Sequence, residues 1–162
     1  MSSSCSSRSV LIRLLLTVML SLTSFAASAA EDPIVSTKME GDFHDVANNI
    51  RMAIIGKGIS IAHTLHASDM LNRTGRDYGY KTNTYTDAEI FEFCSASISH
   101  KLSRQNPDNI VLCPFTISVY TLASEPGYVH LSYRKPVGQP GSEEIVKEVV
   151  ELISSIIEDA SW

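Results

Sequence analysis

The spacing of apolar residues along the chain predicts five strands and four helices. Alternating or continuous runs rich in β-branched and aromatic residues predict strands over residues 33–40, 59–66, 88–94, 109–122 and 128–134. Apolar residues at helical spacing predict helices over residues 43–56, 67–74, 96–105 and 142–160. The polar, glycine-bearing stretch 75–86 has no clear period and is predicted to be a surface loop.

Local signals at the ends of these elements support the assignment. Asp42 has the position of an N-cap for the first helix, and Gly56 and Gly58 end that helix. Ser142 is predicted to cap the last helix, with two glutamates in its first turn. A Pro-Gly pair at 126–127 predicts a hairpin turn between the fourth and fifth strands.

The element order β-α-β-α-β-α-β-β-α predicts an α+β fold. We expect a two-layer arrangement in which helices pack on one face of a mainly antiparallel sheet of about five strands. A parallel, doubly wound α/β fold is the alternative, but it requires more regular alternation and no hairpin. The wide apolar stripe of the last helix indicates either core packing or the seam of a homodimer.

The first 29 residues have the pattern of a secretory signal peptide. Arg8 and Arg13 supply a basic region, residues 14–26 form an apolar core, and residues 27–29 form a small-x-small cleavage site. The apolar run is shorter than the roughly 20 residues that a membrane span needs. We therefore predict a periplasmic or secreted protein with a single domain over residues 30–162 and no membrane span after cleavage.

Removal of the leader leaves an acidic chain. Of the 13 basic residues, Arg8 and Arg13 are lost with the leader, so 11 basic side chains face 18 acidic ones. Binding to nucleic acid or to an anionic membrane requires clustered lysine and arginine. The sequence has no basic run, and we expect neither kind of partner.

Cys94 and Cys113 are the two cysteines of the mature chain, and an even count in an exported protein favours a disulfide. Such a bond would close a loop of about 20 residues and stabilise the fold by roughly 3 kcal/mol. Strand alternation places the two side chains on opposite faces, although Pro114 can reset that alternation through a bulge. A second hypothesis makes Cys94 a reactive thiol at a helix start with Cys113 as resolving partner. A third leaves both reduced, either packed or joined with His100 as soft metal ligands.

The segment around residues 73–80 offers a candidate ligand site. Arg73, Arg76, Tyr78 and Tyr80 could surround a small anionic group, and Arg134 could join them if the last strand ends nearby. The alternative is structural, because Arg-Thr-Gly at a helix end is typical of a C-cap with a left-handed glycine.

Several catalytic and cofactor motifs are absent. The chain has no C-x-x-C-H, H-E-x-x-H, G-x-S-x-G, P-loop or dinucleotide fingerprint. These absences favour a protein that is not an enzyme, and they identify no cofactor and no metal site.

Four stretches taken together resemble a known bacterial family. They are MLNRTGRDYG (70–79), FEFCSASISHKL (91–102), NPDNIVLCPFTISVY (106–120) and VHLSYRKP (129–136). In this order they resemble the exported branch of domain of unknown function 302, over roughly residues 40–136. The resemblance implies a compact α+β fold able to dimerise and no established activity.

These observations lead to two functional hypotheses. The first is an accessory module of the cell envelope that binds a small ligand or a partner protein without catalysis. The second is a thiol-dependent redox or sulfur-handling protein that uses Cys94 and Cys113.

Overall fold

The computed structural model describes residues 32–161, in which five antiparallel strands form one sheet. The predicted leader lies outside the described residues. The strands are β1 (Ile34–Glu40), β2 (Ile61–His66), β3 (Tyr85–Phe93), β4 (Phe115–Leu122) and β5 (Tyr128–Arg134). The helices are α1 (Phe43–Gly56), α2 (Ala67–Thr74), α3 (Ala96–Gln105) and α4 (Glu143–Ala160), with 3-10 helices at Gly75–Tyr78 and Pro107–Leu112.

The strand order is β1-β5-β4-β3-β2, and every neighbouring pair is antiparallel. Strands β4 and β5 form the predicted hairpin, while β1 pairs with β5 and β2 pairs with β3. The α+β prediction is confirmed and the parallel alternative is wrong, because each strand runs antiparallel to the strands beside it.

One face of the sheet carries the core. Its centre is made of alternating strand residues that are almost fully buried: Phe91, Phe93, Phe115, Ile117, Val119, Val129 and Leu131. Three helices, α1, α3 and α4, contribute side chains to the same cluster. The predicted stripe of α4 is therefore core, since Val149, Ile153 and Ile156 are at most 2% exposed. Helix α2 contacts β3 and lies outside that cluster.

The predicted fourth strand begins too early. Residues 109–112 belong to the second 3-10 helix, and β4 starts at Phe115. Asn106 caps this 3-10 helix by accepting from the Asp108 N–H at 2.9 Å, and Pro107 occupies its first position. Proline and a capping asparagine favour a helical turn, and they outweigh the β propensity of the apolar residues that follow.

Ser142 occupies the predicted N-cap position of the last helix, but its side chain does not cap that helix. The Ser142 hydroxyl makes no bond to the first turn of α4 and instead accepts a hydrogen bond from Asn109 Nδ2 at 2.8 Å. The Glu143 carboxylate accepts from the Gly141 N–H at 3.1 Å. Hydrogen bonds from the backbone N–H groups of Glu143 and Gly141 lower the pKa of this carboxyl group.

Among residues 32–161, no helix combines the length and the apolar character that crossing a bilayer requires.

Candidate functional sites

Cys94 and Cys113 form a disulfide, with their Cα atoms 5.9 Å apart. Cys94 lies between β3 and α3, and Cys113 follows the second 3-10 helix. The objection from strand alternation does not apply, because Cys113 precedes β4 and therefore has no strand face. The structure thus agrees with the disulfide hypothesis for this pair.

The bond joins the two ends of the segment that contains α3 and the second 3-10 helix. The cysteines are 19 residues apart in sequence, which corresponds to a stabilisation of roughly 3 kcal/mol in the chain-entropy model. Bonded sulfurs are not thiolates, so in this state neither cysteine is a metal ligand. Within residues 32–161, no group of three or more His, Cys, Asp or Glu side chains is placed to hold a metal ion.

The disulfide borders an open cleft of about 890 Å³, which we call the Cys94 cleft. It lies between the chain leading into β2, the first turn of α3 and the middle of α4. Cys94 lines the cleft and Cys113 does not, although both residues are half-buried. The cleft is therefore adjacent to one residue of the pair and not to the other.

Small and polar side chains dominate the wall beside Cys94. They are Gly58, Ser60, Ala62, Ser95, Ala96 and Ser97. The Ser95 hydroxyl caps α3 by accepting from the Ile98 N–H at 3.5 Å.

Charged residues of the Cys94 cleft have ion-pair partners. Lys57 Nζ lies 2.7 Å from Asp159 Oδ2 and Lys101 Nζ lies 2.9 Å from Glu148 Oε1. Glu151 pairs more loosely with Lys147, at 3.8 Å. These pairs are largely exposed, so each adds little to stability, and together they leave the cleft without a strong net charge.

A second cavity, of about 420 Å³, lies between α2 and the segment 75–85. We call it the tyrosine pocket. Its lining residues carry no formal charge: Met70, Leu71, Asn72, Thr74, Gly75, Tyr78, Tyr80, Thr82, Asn83, Thr84 and Tyr85. Its volume falls within the range of small-molecule sites.

Hydrogen bonds at both ends of the segment maintain the tyrosine pocket. The Tyr80 N–H donates to the Gly75 carbonyl at 3.0 Å, and Asn72 Nδ2 donates to the Tyr85 carbonyl at 3.3 Å. The Tyr85 ring packs edge-on against Tyr120, with ring centroids 5.4 Å apart. The pocket is thus bounded by an ordered turn on one side and by the sheet on the other.

Gly75 is the C-cap residue of α2, but its predicted left-handed conformation is wrong. Gly75 has a right-handed helical conformation and continues into the first 3-10 helix, whereas the left-handed glycine is Gly79 with φ 85°. The chain therefore turns four residues later than predicted. This longer turn brings Tyr78 and Tyr80 to the pocket.

The three candidate arginines do not line a common cavity. Arg73 and Arg76 are exposed and do not line the tyrosine pocket. Arg134 borders a different cavity of about 270 Å³, next to Pro114 and Thr116. Strand register explains the separation, because Arg134 lies near the start of β4 and Tyr85 pairs with Leu122 at its end.

Sequence reasoning missed several residues of the tyrosine pocket. Met70 and Leu71 are 44% and 41% exposed, although apolar residues in a short helix are expected to pack inward. Strand β3 begins at Tyr85, three residues before its predicted start. The high β propensity of Thr84, Tyr85 and Thr86 could have predicted this earlier start of β3.

The comparisons with known proteins give a family and a fold. The family model described as domain of unknown function DUF302 matches residues 35–160. The chain belongs to this family. Among solved structures, this DUF302 domain is similar to the crystal structure of an uncharacterized conserved protein DUF302 from Bacillus stearothermophilus, with a TM-score of 0.66. The two sequences are 13% identical, and the match covers 80% of this chain and 99% of that chain. No curated protein matches the sequence. At this identity the similarity supports the shared fold alone.

Proposed function

We propose that this DUF302 domain is an exported accessory module of the cell envelope that binds a small ligand in the tyrosine pocket. The observation that carries the proposal is the pocket itself, a cavity of about 420 Å³ with three tyrosines and no charged side chain in its lining. Pockets for small molecules combine apolar or aromatic surface with a few polar groups that orient the ligand.

The lining favours an uncharged or aromatic ligand. Tyr78 and Tyr80 are 77% and 69% exposed, so their rings are accessible to a flat group. Asn83 and the threonine hydroxyls supply donors and acceptors beside them. An anionic ligand would instead have to be bound by Arg73 and Arg76, which do not line the pocket. Titration with an anionic probe tests this alternative.

Two probes separate these ligand classes. Phenol and inorganic phosphate are titrated separately into the ¹⁵N-labelled exported protein, and backbone amide shifts are followed by NMR. We expect phenol to shift the amides of Gly75, Tyr80 and Thr84, with saturation. Phosphate is expected to leave these amides in place, and shifts of the Arg73 and Arg76 amides by phosphate alone would favour the anion hypothesis.

A pair of variants tests whether the pocket is the site. Tyr80→Ala removes an exposed ring from the lining and is expected to weaken phenol binding about tenfold, the equivalent of roughly 1.4 kcal/mol. Val137→Ala is the matched control, because Val137 is 82% exposed and outside the lining. Equal affinities for the two variants would contradict the proposal.

A second candidate function is thiol–disulfide exchange at Cys94. The observation that favours it is that Cys94 lines a cleft of about 890 Å³ and Cys113 does not. A thiolate that enters the cleft would attack Cys94 and release Cys113. Ser95 caps α3 directly after Cys94, so a Cys94 thiolate would lie close to the positive end of that helix.

Redox equilibration tests this candidate. The exported protein is incubated in glutathione buffers of stepped potential, free thiols are quenched, and the product is analysed by mass spectrometry. We expect reversible opening of the bond within the glutathione range, with the mixed disulfide on Cys94. A bond that remains closed below about −300 mV is a permanent structural disulfide, and the candidate function then fails.

A further inference from the structure

Arg134 lines an apolar cavity of about 270 Å³, which we call the Arg134 pocket. Most of its lining residues are apolar: Val111, Leu112, Pro114, Phe115, Pro136, Val149 and Ile153. Thr116 supplies a hydroxyl group, and Arg134 is the one charged residue among the described residues of the lining. The pocket therefore combines an apolar wall with a single positive charge.

The Arg134 pocket lies at the end of the sheet where β4 begins and β5 ends. Phe115 is the first residue of β4, and Arg134 is the last residue of β5. Helix α4 contributes Val149 and Ile153, which are almost fully buried and belong to the packed core. The outer wall is open to solvent, since Val111 of the second 3-10 helix is 79% exposed. A small ligand can thus reach the outer wall while the core side chains stay in place.

The Arg134 side chain is available to a ligand. Arg134 is exposed, and within residues 32–161 its guanidinium group makes no ion pair and no hydrogen bond. A guanidinium group presents parallel N–H donors that match the two oxygens of a carboxylate. Apolar surface beside the pair lowers the local dielectric constant, so the attraction is stronger there than in open water.

We propose that the Arg134 pocket binds a small monocarboxylate with a compact, branched apolar body. The carboxylate pairs with Arg134 and accepts a hydrogen bond from the Thr116 hydroxyl, while the apolar body contacts the side chains of Val111 and Pro136. This inference goes beyond the proposed function, because the Arg134 pocket and the tyrosine pocket share no lining residue.

The charge and the size of the pocket select this ligand class. One guanidinium group balances one negative charge, whereas a phosphate dianion would place unbalanced charge against apolar side chains at a cost in desolvation. The volume of about 270 Å³ is smaller than the roughly 300–1,000 Å³ of pockets for drug-sized ligands. A short acid therefore suits the pocket better than a long acyl chain does.

Three probes separate the contributions of charge and apolar contact. Isovalerate carries both features, isovaleramide has the same apolar body without the charge, and acetate has the charge without the branched body. Each is titrated into the ¹⁵N-labelled exported protein and followed by the backbone amide shifts. We expect isovalerate to shift the amides of Val111, Thr116 and Arg134 with saturation. Isovaleramide and acetate are each expected to bind about tenfold more weakly.

A pair of arginine variants locates the charge that binds the acid. Arg134→Gln is expected to weaken isovalerate binding about tenfold, to the level of isovaleramide, and to leave isovaleramide binding unchanged. Arg76→Gln is the matched control, because Arg76 is also exposed and lies outside the Arg134 pocket. It is expected to bind isovalerate as the unmodified protein does.

A second pair of variants tests the apolar wall. Val111→Ser removes apolar surface from the pocket and is expected to weaken isovalerate binding about fivefold while acetate binding stays the same. Ile55→Ser makes a comparable change on the exposed face of α1, outside the lining, and is expected to change neither affinity.

The possible results decide the inference separately from the tyrosine pocket. If isovalerate causes no saturable shift at Val111, Thr116 and Arg134, the site is refuted. Equal affinities for isovalerate and isovaleramide would refute the role of the charge. If Arg76→Gln weakens isovalerate binding and Arg134→Gln does not, the acid binds at the segment 73–76, and the inference is overturned. The phenol titration is unaffected by each of these outcomes.

Discussion

Asn109 shows how much one buried polar side chain can organise. It is 2% exposed, and its amide donates to the Leu102 carbonyl at 3.0 Å and to the Ser142 hydroxyl at 2.8 Å. Its carbonyl oxygen accepts from the Gln139 N–H at 2.8 Å. Asn109 therefore joins the end of α3 to the loop before α4. Gly138 permits the close approach of that loop, since a Cβ there would lie 2.8 Å from Val146 Cγ2.

Replacement of Asn109 by alanine is expected to destabilise the fold by about 1–3 kcal/mol. The change leaves the Gln139 N–H without its acceptor, whereas the Leu102 carbonyl still accepts from the Asn106 N–H at 3.0 Å. Urea unfolding followed by circular dichroism measures the effect as a lower midpoint. Asn48→Ala is the control, because Asn48 is exposed on α1 and alanine favours a helix. Equal midpoints for the two variants would contradict this account.

At the scale of the element, the turn between β4 and β5 is tied to β1 by charge. Glu125 Oε2 lies 3.2 Å from Lys38 Nζ and 3.2 Å from His130 Nε2. The hydrogen bond from Lys38 and its positive charge lower the pKa of Glu125, and His130 lowers it further. The His130 ring also stacks on Tyr120, with centroids 5.0 Å apart. This turn thus connects three strands of the sheet.

The contribution of Glu125 to stability is expected to disappear in acid. Because its folded pKa lies below its unfolded value, the carboxylate favours the folded state above the ordinary carboxyl range, and this contribution is lost as pH falls through the folded pKa. NMR titration of the Glu125 side chain checks the direction. Lys38→Met is expected to raise the pKa of Glu125, whereas Lys81→Met, on an exposed loop, is expected to leave it unchanged. A Glu125 pKa that Lys38→Met does not move would refute the assigned cause.

At the scale of the whole molecule, export and an oxidised disulfide are expected to occur together. Cleavage after Ala29 would give a product that begins at Ala30. In an oxidising compartment, Cys94 and Cys113 of this product would form their disulfide. Intact mass and N-terminal sequencing of the protein from the periplasmic or secreted fraction check both points. An uncleaved, reduced protein in the cytosol would contradict them. Native mass on the same sample tests whether the protein forms the homodimer that the family resemblance allows.

The sequence by itself determined the elements and the architecture. Apolar spacing predicted β1, α1, α2, α3 and β5 to within about two residues, because these elements follow from local periodicity and caps. It also predicted a mainly antiparallel sheet, since the hairpin signal at residues 126–127 and the irregular alternation of helices and strands disfavour a parallel sheet. The start of β3 and residues 109–112 were predicted wrongly. Over residues 109–112, the caps of a single turn competed with an apolar run that equally suited a strand.

Only the tertiary structure decided the sites. Cys94 and Cys113 come together because the end of β3 lies beside the start of β4 in the antiparallel sheet. No local sequence pattern specifies that approach. Strand register, which depends on the whole sheet, separates Arg134 from the tyrosine pocket. Contacts between residues distant in sequence depend on packing and strand register. The periodicity of one segment could therefore predict its secondary structure but not the site to which it contributes.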